Sequence, residues 1–108
     1  MQAAVFSALG EPNRLRIVEL LRASSFAVGD IADALGIRQP QVSKHLKVLA
    51  DAGIVRVEPR ARRRIYHLQA EPFDGIARWI GSFEALWDTR LDSLGDYLHA
   101  NDDQEDRQ

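Results

Sequence analysis

Two helix-patterned segments only three residues apart constrain this chain more than any other feature. "VGDIADAL" (28–35) sets Ile31 and Leu35 four apart on one helix face. Its Asp30 falls in the first turn, where a carboxylate suits the positive end of the helix dipole. "QPQVSKHLKVLAD" (39–51) places Val42, Leu46 and Leu49 at i, i+4 and i+7, a single apolar stripe. Only "GIR" joins the two, with Gly36 as a C-terminal stop. Two amphipathic helices so closely spaced must turn sharply against a shared core, as in a helix-turn-helix.

The flanks extend this reading. "MQAAVFSAL" is a short helical pattern with Val5, Phe6 and Leu9 apolar, and Gly10 and Pro12 punctuate it. Pro12 suits the first turn of the next helix, "PNRLRIVELLRA", where its missing N–H has no helical partner. Leu15, Val18 and Leu21 share a face there, flanked by Ile17 and Leu20, and Ser24 and Ser25 end the helix. After Gly53, "IVRVE" and "RIYHL" are β-branched and aromatic, hence strand-like, with "PRARR" between them as a short basic loop. Pro72 opens a long helix to about residue 100, in which Ile76, Ile80, Phe83, Trp87, Leu91, Leu94 and Leu98 step by three or four. Trp79, Leu86 and Tyr97 widen that stripe. The expected order is α-α-α-α-β-β-α, a mainly helical winged helix-turn-helix over residues 1–100. Residues 101–108, "NDDQEDRQ", form an acidic flexible tail.

With no cysteine among 108 residues, disulfides and thiolate metal sites are excluded, and a reducing cytoplasm is the expected compartment. The N-terminus has no basic segment ahead of an apolar run, and no stretch reaches the length needed to span a membrane. The net charge of −2 conceals a segregation. Residues 38–67 hold eight basic and two acidic side chains, whereas residues 68–108 hold three basic and ten acidic. A polyanion responds to the local patch, because charges beyond about 8–10 Å are largely screened. An acidic total therefore does not argue against nucleic acid.

Together, "LGEPNRLRIVELL", "VGDIADALGIRQPQVSKHLKVLADAGIV" and "RRRIYHL" resemble the ArsR-type winged-helix transcriptional repressors, from about Leu9 to Leu98. The resemblance implies a cytoplasmic homodimer on a pseudo-palindromic double-stranded DNA operator, with the fourth helix in the major groove and the wing on the backbone or minor groove. "WIGSFEALWDTRLDSLGDYL" is similar to a non-metal branch whose last helix is tryptophan-rich in place of metal ligands. The family usually caps its third and fourth helices with Ser or Thr; Ala27 and Arg38 stand there instead. Each missing cap costs about 0.5–2 kcal/mol. At the wing tip Ala61 replaces a frequent glycine.

With the apolar stripe inward, the opposite face of the fourth helix offers Gln39, Gln41 and Ser43 for base or near-base contacts. Lys44 and Lys47 suit phosphate, and Arg38 is assigned there also. His45 sits beside the stripe, open either to phosphate or to a backbone partner within the fold. Arg60, Arg62, Arg63 and Arg64 form the basic wing, expected over residues 59–64. Arg14 and Arg16 are expected in ion pairs with Glu11 or Glu19.

A dimer seam is expected from Val5 and Phe6 with Trp79, Phe83, Leu86, Trp87, Leu94 and Tyr97. No cofactor or metal is expected: Asp88-Thr89-Arg90 matches only the Asp of an Asp-x-His metal motif. Asp88, Asp92, Asp96 and His99 do share a helical face, which keeps a divalent-metal-responsive repressor as an alternative. A winged-helix protein-interaction module without DNA is the other. His45, His67 and His99 lie on different elements with no phosphate loop or catalytic order in sequence, so no enzyme is expected.

Overall fold

The computed structural model describes residues 3–84, 86, 88 and 95. The chain divides into two compact units, Met1–Gly75 and Ile76–Gln108. The elements run α1 (Ala3–Leu9), α2 (Pro12–Ala23), β1 (Phe26–Ala27), α3 (Val28–Leu35), α4 (Gln39–Asp51), β2 (Val55–Arg60), β3 (Arg63–Leu68) and α5 (Glu71–Gly81). This is a mainly helical winged helix-turn-helix with one small antiparallel sheet.

The core of the first unit gathers one stripe from each helix. Ile17, Val18 and Leu21 of α2, Ile31 of α3, and Val42, Leu46 and Leu49 of α4 are buried, together with Ile54 and Val55 at the head of the wing. The three α4 residues are 0% exposed, which fixes that helix's rotation about its own axis. Leu15 departs from the expected α2 stripe: it is 46% exposed, while Ile17 takes the central buried position. Leu15 instead borders a largely apolar cleft of about 590 Å³ with Leu9, Val18, Leu68 and Phe73.

Local chemistry sets the boundaries. Glu11 caps α2 by accepting the Arg14 backbone N–H at 2.9 Å, and Pro12 occupies the first turn. Gly36 (φ 66°) and Gly53 (φ 78°) take left-handed backbone after α3 and α4, where a Cβ would be strained. The Ile37 N–H then reaches back to the Ala32 carbonyl at 3.1 Å, closing α3 in one tight turn.

Two expectations change. A two-residue strand, β1, precedes α3 and pairs antiparallel with β3, giving a sheet of order β1-β3-β2. Two residues carry no readable alternation, so only the β3 partner reveals the strand. The long C-terminal helix is interrupted: α5 ends at Gly81, with Ser82 and Phe83 in a turn. The Ser82 hydroxyl donates to the Trp79 carbonyl at 2.6 Å, competing with the helical ladder beside a poor helix former. Glu84, Leu86, Asp88 and Gly95 are again helical. Trp87, Leu94, Tyr97, Asp92, Asp96, His99 and the acidic tail lie outside the described residues.

Candidate nucleic-acid interface

Burial of Val42, Leu46 and Leu49 turns Gln39, Gln41, Ser43, Lys44 and Lys47 outward, all exposed. Arg38, the N-cap, has extended backbone (φ −64°, ψ 137°) and no side-chain capping bond, so its guanidinium is not engaged in the cap. The N-cap of α3, Ala27, likewise contributes no side-chain bond. Lys47 lies 3.4 Å from Asp51 one turn later, an exposed pair of the kind worth about 0.3–0.5 kcal/mol. His45 stands on the α2-facing side of α4. It is half-buried, with Nδ1 3.7 Å from Oε2 of Glu11.

The wing is tighter than the expected five-residue loop. Strands continue through Pro59–Arg60 and Arg63–Arg64, with Arg60 opposite Arg63, leaving Ala61 and Arg62 as the turn. Ala61 takes φ 55°, the positive value a two-residue hairpin favours and a glycine would adopt without strain. Arg60, Arg62, Arg63 and Arg64 are all exposed, but they are not equivalent. Arg60 reaches Glu58 at 3.4 Å, and Arg63 donates from Nη2 to Oδ2 of Asp30 on α3 at 2.6 Å. The guanidinium groups of Arg62 and Arg64 have no hydrogen-bond or ion-pair partner among the described residues.

A polar chain ties the base of the wing to the rest of the unit. Oε1 of Glu58 lies 2.8 Å from Nε2 of His67, and Nδ1 of His67 lies 2.6 Å from Oγ of Ser25. The ionised carboxylate only accepts, so Nε2 carries the proton shared with Glu58. The His67 hydrogen bond, assisted by the charge of Arg60, holds the Glu58 carboxyl below its ordinary value. The sequence gives no order for these three residues. Antiparallel register sets Glu58 diagonally from His67, and the β1–β3 pairing brings Ser25 alongside. The register of a two-residue turn would have revealed the first contact; nothing local reveals the second.

Wing and recognition helix meet at one cleft of about 510 Å³. Its walls are Ala27, Val28 and Gly29 at the start of α3, Ser43 of α4, and Arg62, Arg63, Arg64 and Tyr66 of the wing. Three arginines of the wing and an exposed serine of α4 thus converge on one concave surface.

Other sequence expectations resolve differently. Arg14 and Arg16 do not use their guanidinium groups for the expected ion pairs. Arg14 donates from Nε to the Ala8 carbonyl at 2.7 Å, and Arg16 from Nη2 to the Leu35 carbonyl at 2.9 Å. Both satisfy carbonyls at helix ends that the ladder leaves open. Val5 is buried within its own unit, while Phe6 is exposed. In the second unit Trp79, Phe83 and Leu86 are exposed, with Trp79 and Phe83 edge-to-face at 5.1 Å. Among the described residues no group of His, Asp or Glu is arranged to hold a metal ion, and no helix is long and apolar enough to cross a membrane.

A polar recognition face, a hairpin wing and a basic cleft between them define a winged helix-turn-helix DNA-binding regulator. A family model described as a helix-turn-helix domain matches residues 9–58. The chain is 33% identical over 98 residues to the HTH-type transcriptional regulator Rv2034 of Mycobacterium tuberculosis, covering 91% of this chain and 89% of that one. It superposes with TM-score 0.72 on an ArsR-like transcriptional regulator from Rhodococcus sp. RHA1 at 26% identity, covering 88% and 90% of the two chains. A homodimeric winged helix-turn-helix DNA-binding domain from Mycobacterium bovis, Mb0332, matches with TM-score 0.62 at 30% identity, covering 80% and 77%. The chain belongs to the ArsR family of winged helix-turn-helix transcriptional regulators. It is a sequence-specific DNA-binding regulator.

Proposed function

We propose that this regulator is a homodimeric repressor that sets α4 in the major groove of a pseudo-palindromic operator and lays the wing on the adjoining backbone or minor groove. The observation that carries this is the cleft where Ser43 and the wing arginines converge, since one concave basic surface can follow one DNA strand. Gln39, Gln41 and Ser43 read base edges; Arg38, Lys44, Lys47, Arg60, Arg62, Arg63 and Arg64 meet phosphates. His45 belongs first to the fold through Glu11, with any phosphate contact secondary. Selection from a randomised duplex library tests the reading: a two-half-site consensus bound in a salt-dependent way is expected. Recovery of no preferred sequence, or binding indifferent to salt, overturns it.

The homodimer uses the first helix and the C-terminal helix. Support comes from the exposed Phe6, Trp79, Phe83 and Leu86, and from the homodimeric relative. Two-fold symmetry supplies half-sites one helical turn, about 34–36 Å, apart. A monomer in light scattering at micromolar concentration excludes it. We place the chain in the non-metal branch, because it has no cysteine and only the Asp of the Asp-x-His motif. Heat on titrating the protein with zinc argues against that placement.

A further inference from the structure

Asp30 is an acid beside a surface offered to a polyanion. It occupies the first turn of α3, next to Gly29 in the wall of the wing cleft. Its Oδ2 accepts from Nη2 of Arg63 at 2.6 Å, a charge-assisted bond spanning 33 positions of sequence. Simple electrostatics says that such an acid repels phosphate and that removing it tightens DNA binding. The geometry points the other way. A guanidinium is a rigid plane with five N–H donors, so a bond at Nη2 restrains the group as a unit and leaves Nε and Nη1 for another acceptor. Arg63 lines the cleft together with Ser43, Arg62 and Arg64, and among the described residues it is the one of the three arginines whose guanidinium is paired. Arg62 and Arg64 must give up rotamer freedom on meeting a phosphate, whereas much of that loss is already taken for Arg63 in the folded protein. The pair also fastens β3 to α3 at the end of the sheet nearest the turn.

We infer that Asp30 is a positioning residue for DNA binding: it holds Arg63 in the orientation that takes a backbone phosphate in the cleft between α4 and the wing. An acid on the DNA-facing side thereby strengthens binding. The inference rests on the wing meeting DNA, as proposed above.

The experiment is a double-substitution cycle of Asp30→Ala and Arg63→Gln in the full chain, with Asp30→Asn as a variant that keeps the side-chain shape. Binding is followed by fluorescence anisotropy on a labelled duplex recovered by library selection, across a salt series, with thermal melting of each variant. Asp30→Ala is expected to weaken binding about fivefold although it raises the positive charge of the surface. Arg63→Gln is expected to weaken it similarly and lower the salt slope by about one unit. In the Arg63→Gln background, Asp30→Ala should bring no further loss, and Asp30→Asn, still an acceptor, should fall between Asp30→Ala and the unsubstituted protein. Equal or tighter binding by Asp30→Ala overturns the inference, as does an equal loss in both backgrounds, which marks a purely structural role. Absence of salt-dependent binding by the unsubstituted protein removes the DNA interface itself, and the inference with it. Salt-dependent binding accompanied by a tighter Asp30→Ala removes the inference alone.

Discussion

The recognition helix and the wing are held in place by opposite means. Three fully buried apolar side chains orient α4, and of its outward polar residues only Lys47 and Asp51, paired with each other, have a side-chain partner among the described residues. The wing has Val55 buried at its base, where the part-buried chain Ser25 to His67 to Glu58 also holds it; near the turn the exposed Asp30–Arg63 pair ties it to α3. Apolar burial is insensitive to salt and to mild pH change, whereas exposed charged contacts respond to both. The helix is therefore held by burial, and the wing in large part by contacts that salt and pH can weaken.

Breaking the helix side gives the largest effect. Leu46→Ala empties a 0%-exposed position at the centre of the core and should lower stability by about 2–5 kcal/mol in denaturant unfolding. A loss under about 1 kcal/mol would mean that the core does not set the orientation of α4. Next in size is removal of Arg62 and Arg64. Arg62→Ala with Arg64→Ala should weaken binding alike on all sequences and lower the salt slope by about two units, with melting unchanged. A sequence-dependent loss would transfer them to base readout.

Gln41→Ala sharpens the contrast from the helix side. It should relax preference at specific base pairs by about 1–3 kcal/mol without altering stability. Uniform loss across operators would make Gln41 a phosphate contact. Arg38→Ser should raise stability by about 0.5–2 kcal/mol, since a hydroxyl supplies the missing cap, and should lower DNA affinity. Unchanged affinity would remove Arg38 from the interface.

The smallest effect concerns the wing's response to acid. Glu58 titrates below its ordinary value because His67 and Arg60 favour its ionised form. A lowered folded value means stabilisation present above the ordinary glutamate range and lost as pH falls through the lowered value. Hydrogen exchange at β2 and β3 amides should accelerate across that acid window, and Glu58→Gln should flatten this dependence. Equal acid sensitivity in Glu58→Gln would assign the effect to another group.

Much of this was legible in the sequence for a physical reason: helical periodicity and glycine stops act within a few residues. Val42, Leu46 and Leu49 declared the buried side of α4, and hence Gln39, Gln41 and Ser43 as its outer face. Gly36, Gly53 and Pro12 marked boundaries that the fold keeps. Leu15 shows the limit: it has the right spacing for the α2 stripe yet stands at a cleft, because its neighbours, not its period, decide what covers it. The turn at Ser82–Phe83 was hidden by an apolar period that runs through it without a break.

The sequence by itself determined which residues are basic, which helix faces are apolar and where the chain turns, since each depends on local chemistry. Tertiary structure alone decided how the basic residues divide. Arg14 and Arg16 close helix ends, Arg63 is tied to Asp30, and Arg62 and Arg64 have no partner among the described residues. Those partners lie at separations from 6 to 33 residues, and only the packing of α2, α3 and the wing brings them within hydrogen-bond reach.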